Sequence, residues 1–251
     1  MKNLVIDKSF LQGVSKKRIC ELSQSYNILM PRSLFFELLK QTPIERAKLF
    51  KKFDIQKKYQ LLPTFGEIFS QELKSGNKII PSDLIKSRSY SIHENLCDDN
   101  FKFTEEQNDG IQQLKEDINL LSVLFLNVIE DFMEGKIDFN EKDIDKNEKL
   151  VKLYITKLNQ YYKNNINKFD SSSFVYNWTL VLHLFAKDLS IRYENINIIR
   201  ESENAKEKIR HDILDMEYLV FSIMENNFAT KERKLIDWFN QLSKNGTCIV
   251  D

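Results

Sequence analysis

The 251-residue sequence predicts a mainly helical α/β protein, built on a parallel sheet with a large all-helical insertion. Three observations carry that expectation. Short apolar runs alternate with helix-periodic segments near both chain ends, the pattern that gives parallel strands joined by crossover helices. Between the two ends lies a long, charged, helix-periodic stretch with few breakers. Only six glycines and four prolines occur, too few for the tight turns of an all-β protein.

The elements follow in order. "NLVI" (3–6) reads as a short buried strand. "VSKKRICELSQS" (14–25) places Val14, Ile19 and Leu22 on one helical face. "NILMP" (27–31) is a second apolar run, and Pro31 suits the first turn of the helix "PRSLFFELLK", where no N–H is needed. "TPIERAKLFKKF" has Thr42 as N-cap and Pro43 at the first helical position. "YQLLPTFG" (59–66) reads as a brief extended segment. In the middle, "LKEDINLLSVLFLNVIEDFMEG" (114–135) stops at Gly135. "EKDIDKNEKLVKLYITKLNQYYKNN" and "FVYNWTLVLHLFAKDLSIRYEN" add two more long helices. The tail returns to alternation: helix "EKIRHDILDMEYLVFSIMENN", strand "FAT", helix "ERKLIDWFNQLSKNG" and strand "TCIV", with Asn245-Gly246 supplying the last turn. The expected organisation is a discontinuous core, 1–65 and 200–251, around a helical insertion, 66–199.

Composition narrows the class. Lys plus Arg and Asp plus Glu each number 37, so formal net charge is zero, and contact with a polyanion must come from a local patch. Cys20, Cys97 and Cys248 are scattered and odd in number, which reads as a reducing cytoplasm and not a disulfide framework. The N-terminal apolar run is too short for a secretory signal, and no window reaches the roughly 18 apolar residues of a membrane span. No zinc-type Cys/His spacing, Gly-rich phosphate loop or G-x-S-x-G elbow occurs.

The acids are more informative. Asp7 stands just past the first strand, at the edge where open α/β sheets bind ligands. Glu37 lies in the apolar helix "SLFFELLK". Asp212 and Asp215, three apart, share a helical face, and Glu232 follows the short strand "FAT". Several carboxylates at one edge suit a hard cation, Mg²⁺ or Mn²⁺, which positions and deprotonates water for attack on a phosphodiester.

The segments "LVIDKSFLQG … NILMPRSLFFELL" and "HDILDMEYLVFSIMENNFATKERKL" resemble the opening and the close of PIN-like nuclease domains, over about 3–60 and 205–251. That resemblance implies a three-layer α/β/α fold with a central parallel sheet and metal-dependent ribonuclease activity of the kind found in toxins, RNA processing and RNA decay. Position by position it implies Asp7, Glu37 and Asp215 as metal-binding acids, with Asp212 as the alternative to Asp215. Ser9 matches the small hydroxyl residue after the first Asp, and Thr230 the one before the last acid. That last acid is Glu232 where the family has Asp, one methylene longer.

Plainer readings stand beside these. Asp7 also reads as a turn-forming cap for the next segment. Glu37 reads as an outward-facing helix residue, Asp212 as a partner of Arg210, and Thr230 with Glu232 as an ordinary N-cap and first-turn acid. His183, in "LVLHLFA", reads as core, and His211 as a distant support for Asp212. The basic stretches "SKKR" (15–18), "KLFKKFDIQKK" (48–58), "KSRSY" (86–90) and "KERK" (231–234) read as solvated faces. Lys16, Lys17, Arg18, Lys231, Arg233 and Lys234 lie in elements next to the acids and are the candidate phosphate contacts. Together with the acids, the resemblance implies an endoribonuclease hydrolysing phosphodiester bonds with Mg²⁺ or Mn²⁺; the preference for RNA over DNA comes from the resemblance alone. The alternative is an inactive PIN-like scaffold whose insertion mediates protein association or self-association. Neither reading involves a membrane.

Overall fold

A computed structural model of the chain describes residues 1–54, 56–85, 89–92, 94–98, 100–158 and 169–250. The "KS" and "R" of the 86–90 stretch, His93 and the end of the 141–165 segment lie outside the described residues.

The order of elements is β1 (Lys2–Ile6), α1 (Lys8–Gly13), α2 (Lys16–Ser25), β2 (Tyr26–Met30), α3 (Arg32–Leu39), α4 (Pro43–Phe50), β3 (Lys58–Leu61), α5 (Phe65–Ser75), β4 (Ser89–Ser91), α6 (Glu105–Met133), α7 (Glu148–Leu158), α8 (Phe174–Arg192), α9 (Ile196–Glu201), α10 (Glu203–Glu225), β5 (Asn227–Ala229), α11 (Arg233–Leu242) and β6 (Thr247–Ile249). The chain is thus α/β, as its alternating ends predict. Thr42 caps α4 by accepting from the Glu45 N–H, with Pro43 in the first turn. Pro31 precedes α3 as its N-cap residue instead of opening its first turn. Three elements escaped the sequence patterns: the six-residue α1, the six-residue α9 and the three-residue β4.

The chain packs as two units. The first comprises 1–65, 80–114 and 221–251; the second comprises 66–79 and 115–220. The boundaries differ from the expected 66–199 insertion. Residues 80–114, which include β4, go with the sheet, and most of α10 goes with the helices. The "SYS" of β4 has no apolar run to announce a strand.

The first unit holds the sheet, ordered β4-β3-β2-β1-β5-β6. Five strands are parallel, and β4 runs antiparallel to β3 at the edge. Leu4, Val5 and Ile6 of β1, Leu29 and Met30 of β2, and Phe228 and Ala229 of β5 are buried, as expected of central strands in a parallel sheet. From β1 the chain builds outward through β2 to β3, then returns to lay β5 on β1's other side. The order therefore reverses between β1 and β5, and such a switch point opens the crevice where α/β sheets bind ligands. Asn226 (φ 61°) terminates α10 in the left-handed conformation that Asn tolerates, aiming the chain into β5.

The second unit is helical. Its fully buried Glu72, on α5, caps α8 from a distance: its carboxylate accepts from the Phe174 and Val175 N–H groups at 3.0 and 2.6 Å, and from the Ile79 N–H at 3.0 Å. Burial raises the proton affinity of Glu72 while these N–H donors oppose the rise. Among the described residues no helix is long and apolar enough to cross a membrane. Glu72→Ala leaves these buried donors unbonded, and we expect it to lower the stability of the second unit by about 3 kcal/mol in urea unfolding. Glu72→Gln, which keeps one acceptor oxygen, is expected to lose less.

Candidate functional site

Asp7 is where β1 ends and α1 begins. Its backbone N–H still donates to the Ala229 carbonyl of β5, 3.2 Å away, which fixes it at the switch point. Its side chain caps α1, Oδ1 accepting from the Phe10 N–H at 2.7 Å. The turn-cap reading of Asp7 is thus correct, but it accounts for only part of the bonding. The Ser9 hydroxyl lies 3.0 and 2.9 Å from the two carboxylate oxygens. The Thr230 hydroxyl, from the residue after β5, donates to Oδ2 at 2.6 Å.

Two backbone donors set the direction of those hydroxyl protons. The Lys231 N–H donates to Ser9 Oγ at 2.9 Å, and the Glu232 N–H donates to Thr230 Oγ1 at 3.0 Å. A hydroxyl that accepts from a fixed N–H turns its own proton elsewhere, here toward Asp7. Two separate chain segments are thereby committed to holding one carboxylate.

Asp7 is only 1% exposed. Burial is the largest influence on it and pushes its pKa up to about 6. The hydrogen bonds from Thr230, Phe10 and Ser9 oppose that rise, and the negative charge of Glu232 adds to it. Cys248 on β6 feels the same centre: burial, then the Asp7 charge, raises its thiol to about 11, so it is not an activated nucleophile.

The other predicted acids are placed differently. Glu37, on α3, is bound by Lys8 at 2.9 Å, and both side chains are mostly covered. Its surroundings are therefore neither the outward-facing ones of the plain reading nor an open ligand's. Glu232 is exposed at the N-cap position of α11 and makes no side-chain cap bond there. Asp212 and Asp215 lie on the stretch of α10 that belongs to the second unit. Asp212 is buried and takes Lys208 at 3.3 Å, whereas Arg210, its expected partner, pairs with Glu207. Asp215 is half-buried. His211 is exposed and pairs with Glu207 instead of supporting Asp212. His183 is core, as its sequence context predicts, packed among the Phe132, Phe139 and Tyr154 rings.

Among the described residues, no three of His, Cys, Asp and Glu form a group that could hold a metal ion. In the arrangement described, the residues do not fit Mg²⁺ or Mn²⁺. Asp7 spends its acceptor capacity on hydroxyls and an N–H, and an ammonium already neutralises Glu37.

The basic candidates divide similarly. Lys17 and Arg18 both reach Glu21 and are largely surface groups, as is Lys16. Arg233 is exposed, and Lys234 lies 5.1 Å from the Trp238 ring centre. Lys231 alone of these joins the Asp7 network, through its backbone N–H. Lys8 is the neighbour of Asp7 that sequence reasoning misses. It sits in plain view between Asp7 and Ser9, but its pairing with a glutamate 29 positions away leaves no local trace.

No family model, curated protein or solved structure matches the chain.

Two outcomes follow from the geometry. An acid whose folded pKa is raised binds protons more tightly in the folded state, so its contribution to stability declines as pH climbs from the unfolded value toward the folded one. Relative to Asp7→Asn, the wild-type protein is expected to lose about 2 kcal/mol of stability between about pH 4.5 and 7.5, measured by denaturant unfolding across pH. Thr230→Val removes the largest opposing hydrogen bond. The Asp7 carboxyl should then titrate above its wild-type midpoint when followed by carbon NMR.

Proposed function

We propose that the first unit is a ribonuclease centre of the PIN-like kind, acting on RNA phosphodiester bonds at the edge defined by Asp7. The reading draws on the resemblance of the two chain ends and on the α/β core that joins them.

One observation carries it: a carboxylate is kept buried at the sheet's switch point, at a cost, by hydroxyls recruited from two distant segments. Simple helix capping does not ask for this, because the Phe10 N–H bond alone caps α1 and an Asn or Ser would cap it without a buried charge. Ionisable groups whose proton affinity is strongly shifted cluster at functional sites. An acid titrating near neutrality is also suited to exchanging protons with a reacting water or hydroxyl.

In this reading Asp7 is the fixed anion of the site, Ser9 and Thr230 hold its orientation, and Glu232 supplies a second negative charge at the exposed rim. Lys231 begins the positive side. No step passes through a metal ion, since Glu37 is engaged by Lys8 and no three metal-ligating side chains group together among the described residues.

The second reading, an inactive PIN-like scaffold that engages a protein partner through its helices, is favoured by one specific observation. The Lys8–Glu37 pair neutralises an acid that the resemblance would assign to metal.

The experiment is cleavage of labelled RNA with Mn²⁺ or Mg²⁺ present, wild type beside Asp7→Asn and Glu37→Gln, with Mn²⁺ binding measured by calorimetry. The expected result is cleavage by wild type and a loss of at least about a hundredfold in Asp7→Asn. Equal cleavage by all three would overturn the site, and no cleavage by any of them, with or without added metal, would favour the scaffold.

A further inference from the structure

Beside the Asp7 network, ammonium groups come together without an acidic partner among the described residues. Lys52, two residues past α4, sets its Nζ 2.5 Å from the Leu11 carbonyl oxygen and 3.1 Å from that of Gln12. Lys231, just past β5, sets its Nζ 3.1 Å from the Gly13 carbonyl oxygen. Two lysines far apart in sequence are thus seated on three consecutive carbonyls at the C-terminal end of α1. Burial, and behind it the charges of Lys48 and Lys231, lower the proton affinity of Lys52. Among the described residues neither Lys52 nor Lys231 forms a salt bridge.

Gly13 makes the seat. A Cβ at that position would lie 2.5 Å from Lys231 Cδ and 2.8 Å from its Nζ, so any larger residue displaces the Lys231 side chain. The Lys231 backbone N–H meanwhile donates to Ser9 Oγ, which itself bonds Asp7. One residue therefore ties the cationic cluster to the acidic one.

Capping does not explain this arrangement. A single lysine at a helix C-terminus satisfies exposed carbonyls and complements the dipole, whereas a second at the same place repels the first. Two ammonium groups held at one place with no salt bridge to an acid among the described residues suit an anion. Lysine serves phosphate as a compact point charge, and phosphate contacts fix the register of a nucleic-acid strand.

We infer that Lys52 and Lys231 form a binding site for a backbone phosphate of single-stranded RNA, next to the one presented at Asp7. The choice of RNA rests on the ribonuclease reading; the anion site itself rests on the lysines and on Gly13.

The test is equilibrium binding of an uncleavable 2′-O-methyl oligonucleotide, and separately of inorganic phosphate, over a range of salt. Wild type is compared with Lys52→Met, with Gly13→Ala, which removes no charge, and with Lys149→Met as a matched loss of charge on the exposed face of α7. Circular dichroism confirms that each variant is folded. Lys52→Met and Gly13→Ala are expected to weaken oligonucleotide binding about tenfold at low salt. Loss of the Lys52 contact should also reduce the slope of log K against log salt by about 0.7. Lys149→Met should bind as wild type does.

Unchanged affinity in both Lys52→Met and Gly13→Ala would overturn the proposal, as would absence of oligonucleotide binding by the wild type. Lysine-dependent binding of inorganic phosphate without the oligonucleotide would overturn the RNA assignment. Lysine-dependent oligonucleotide binding by a protein that cleaves nothing would uphold this site while refuting the ribonuclease reading.

Discussion

The constraint on which the site depends is the carboxylate of Asp7, buried where β1 runs out. An ionised group in that position has lost its water and must find substitutes. It finds one N–H from its own turn, one hydroxyl two residues on and one hydroxyl from the far end of the chain. Everything nearby is arranged to supply them. β5 must lie beside β1 so that Thr230 reaches Asp7, and the residues after β5 must turn their N–H groups toward Ser9 and Thr230 so that both hydroxyl protons point inward.

A second buried carboxylate shows what an arrangement for stability alone looks like. Glu72 sits in the helical unit, takes its bonds from backbone N–H groups and closes the start of α8. Its donors are groups that otherwise would go unbonded at a helix terminus, so the acid solves a structural problem. Asp7 solves one such problem, the start of α1, and then recruits two side-chain hydroxyls that had no need of it. Those hydroxyls lie at the edge where the strand order reverses, so Asp7 carries hydrogen bonds beyond those its cap requires. Positive groups seated on the end of α1 lie one residue from negative ones, an arrangement suited to a ligand that carries phosphate beside the bond being handled.

The strongly patterned parts of the fold were legible in the chain. β1, β2, α4, α8, α11 and β6 announce themselves through apolar runs, a Thr-Pro cap or a terminating Asn-Gly. Two short elements were not: α1 has six residues and β4 three, and "SYS" lacks the apolar run that marks the equally short β5 and β6. The site was legible in pieces. Asp7 could be picked out by its place at a strand end, and Ser9 and Thr230 through the resemblance; the structure brings those three together in one hydrogen-bonded network. What could not be read was competition among partners. Lys8 claims Glu37, and Lys208 claims Asp212, because side chains brought close by folding settle on whichever opposite charge is nearest.

By itself, then, the order of residues determined that both chain ends are alternating strand and helix, that a long helical stretch separates them, and that an acid terminates the first strand. Local propensity and periodicity decide such matters, and they act over a few residues. Only the tertiary structure decided that Thr230 would bond Asp7 across 223 positions, that Lys52 and Lys231 would share the last carbonyls of α1, and that an ammonium would neutralise Glu37. Those pairings depend on strand order and on the packing of segments with no sequence proximity. The free energy of a buried charge is set by the atoms within a few ångströms of it, wherever in the chain they originate.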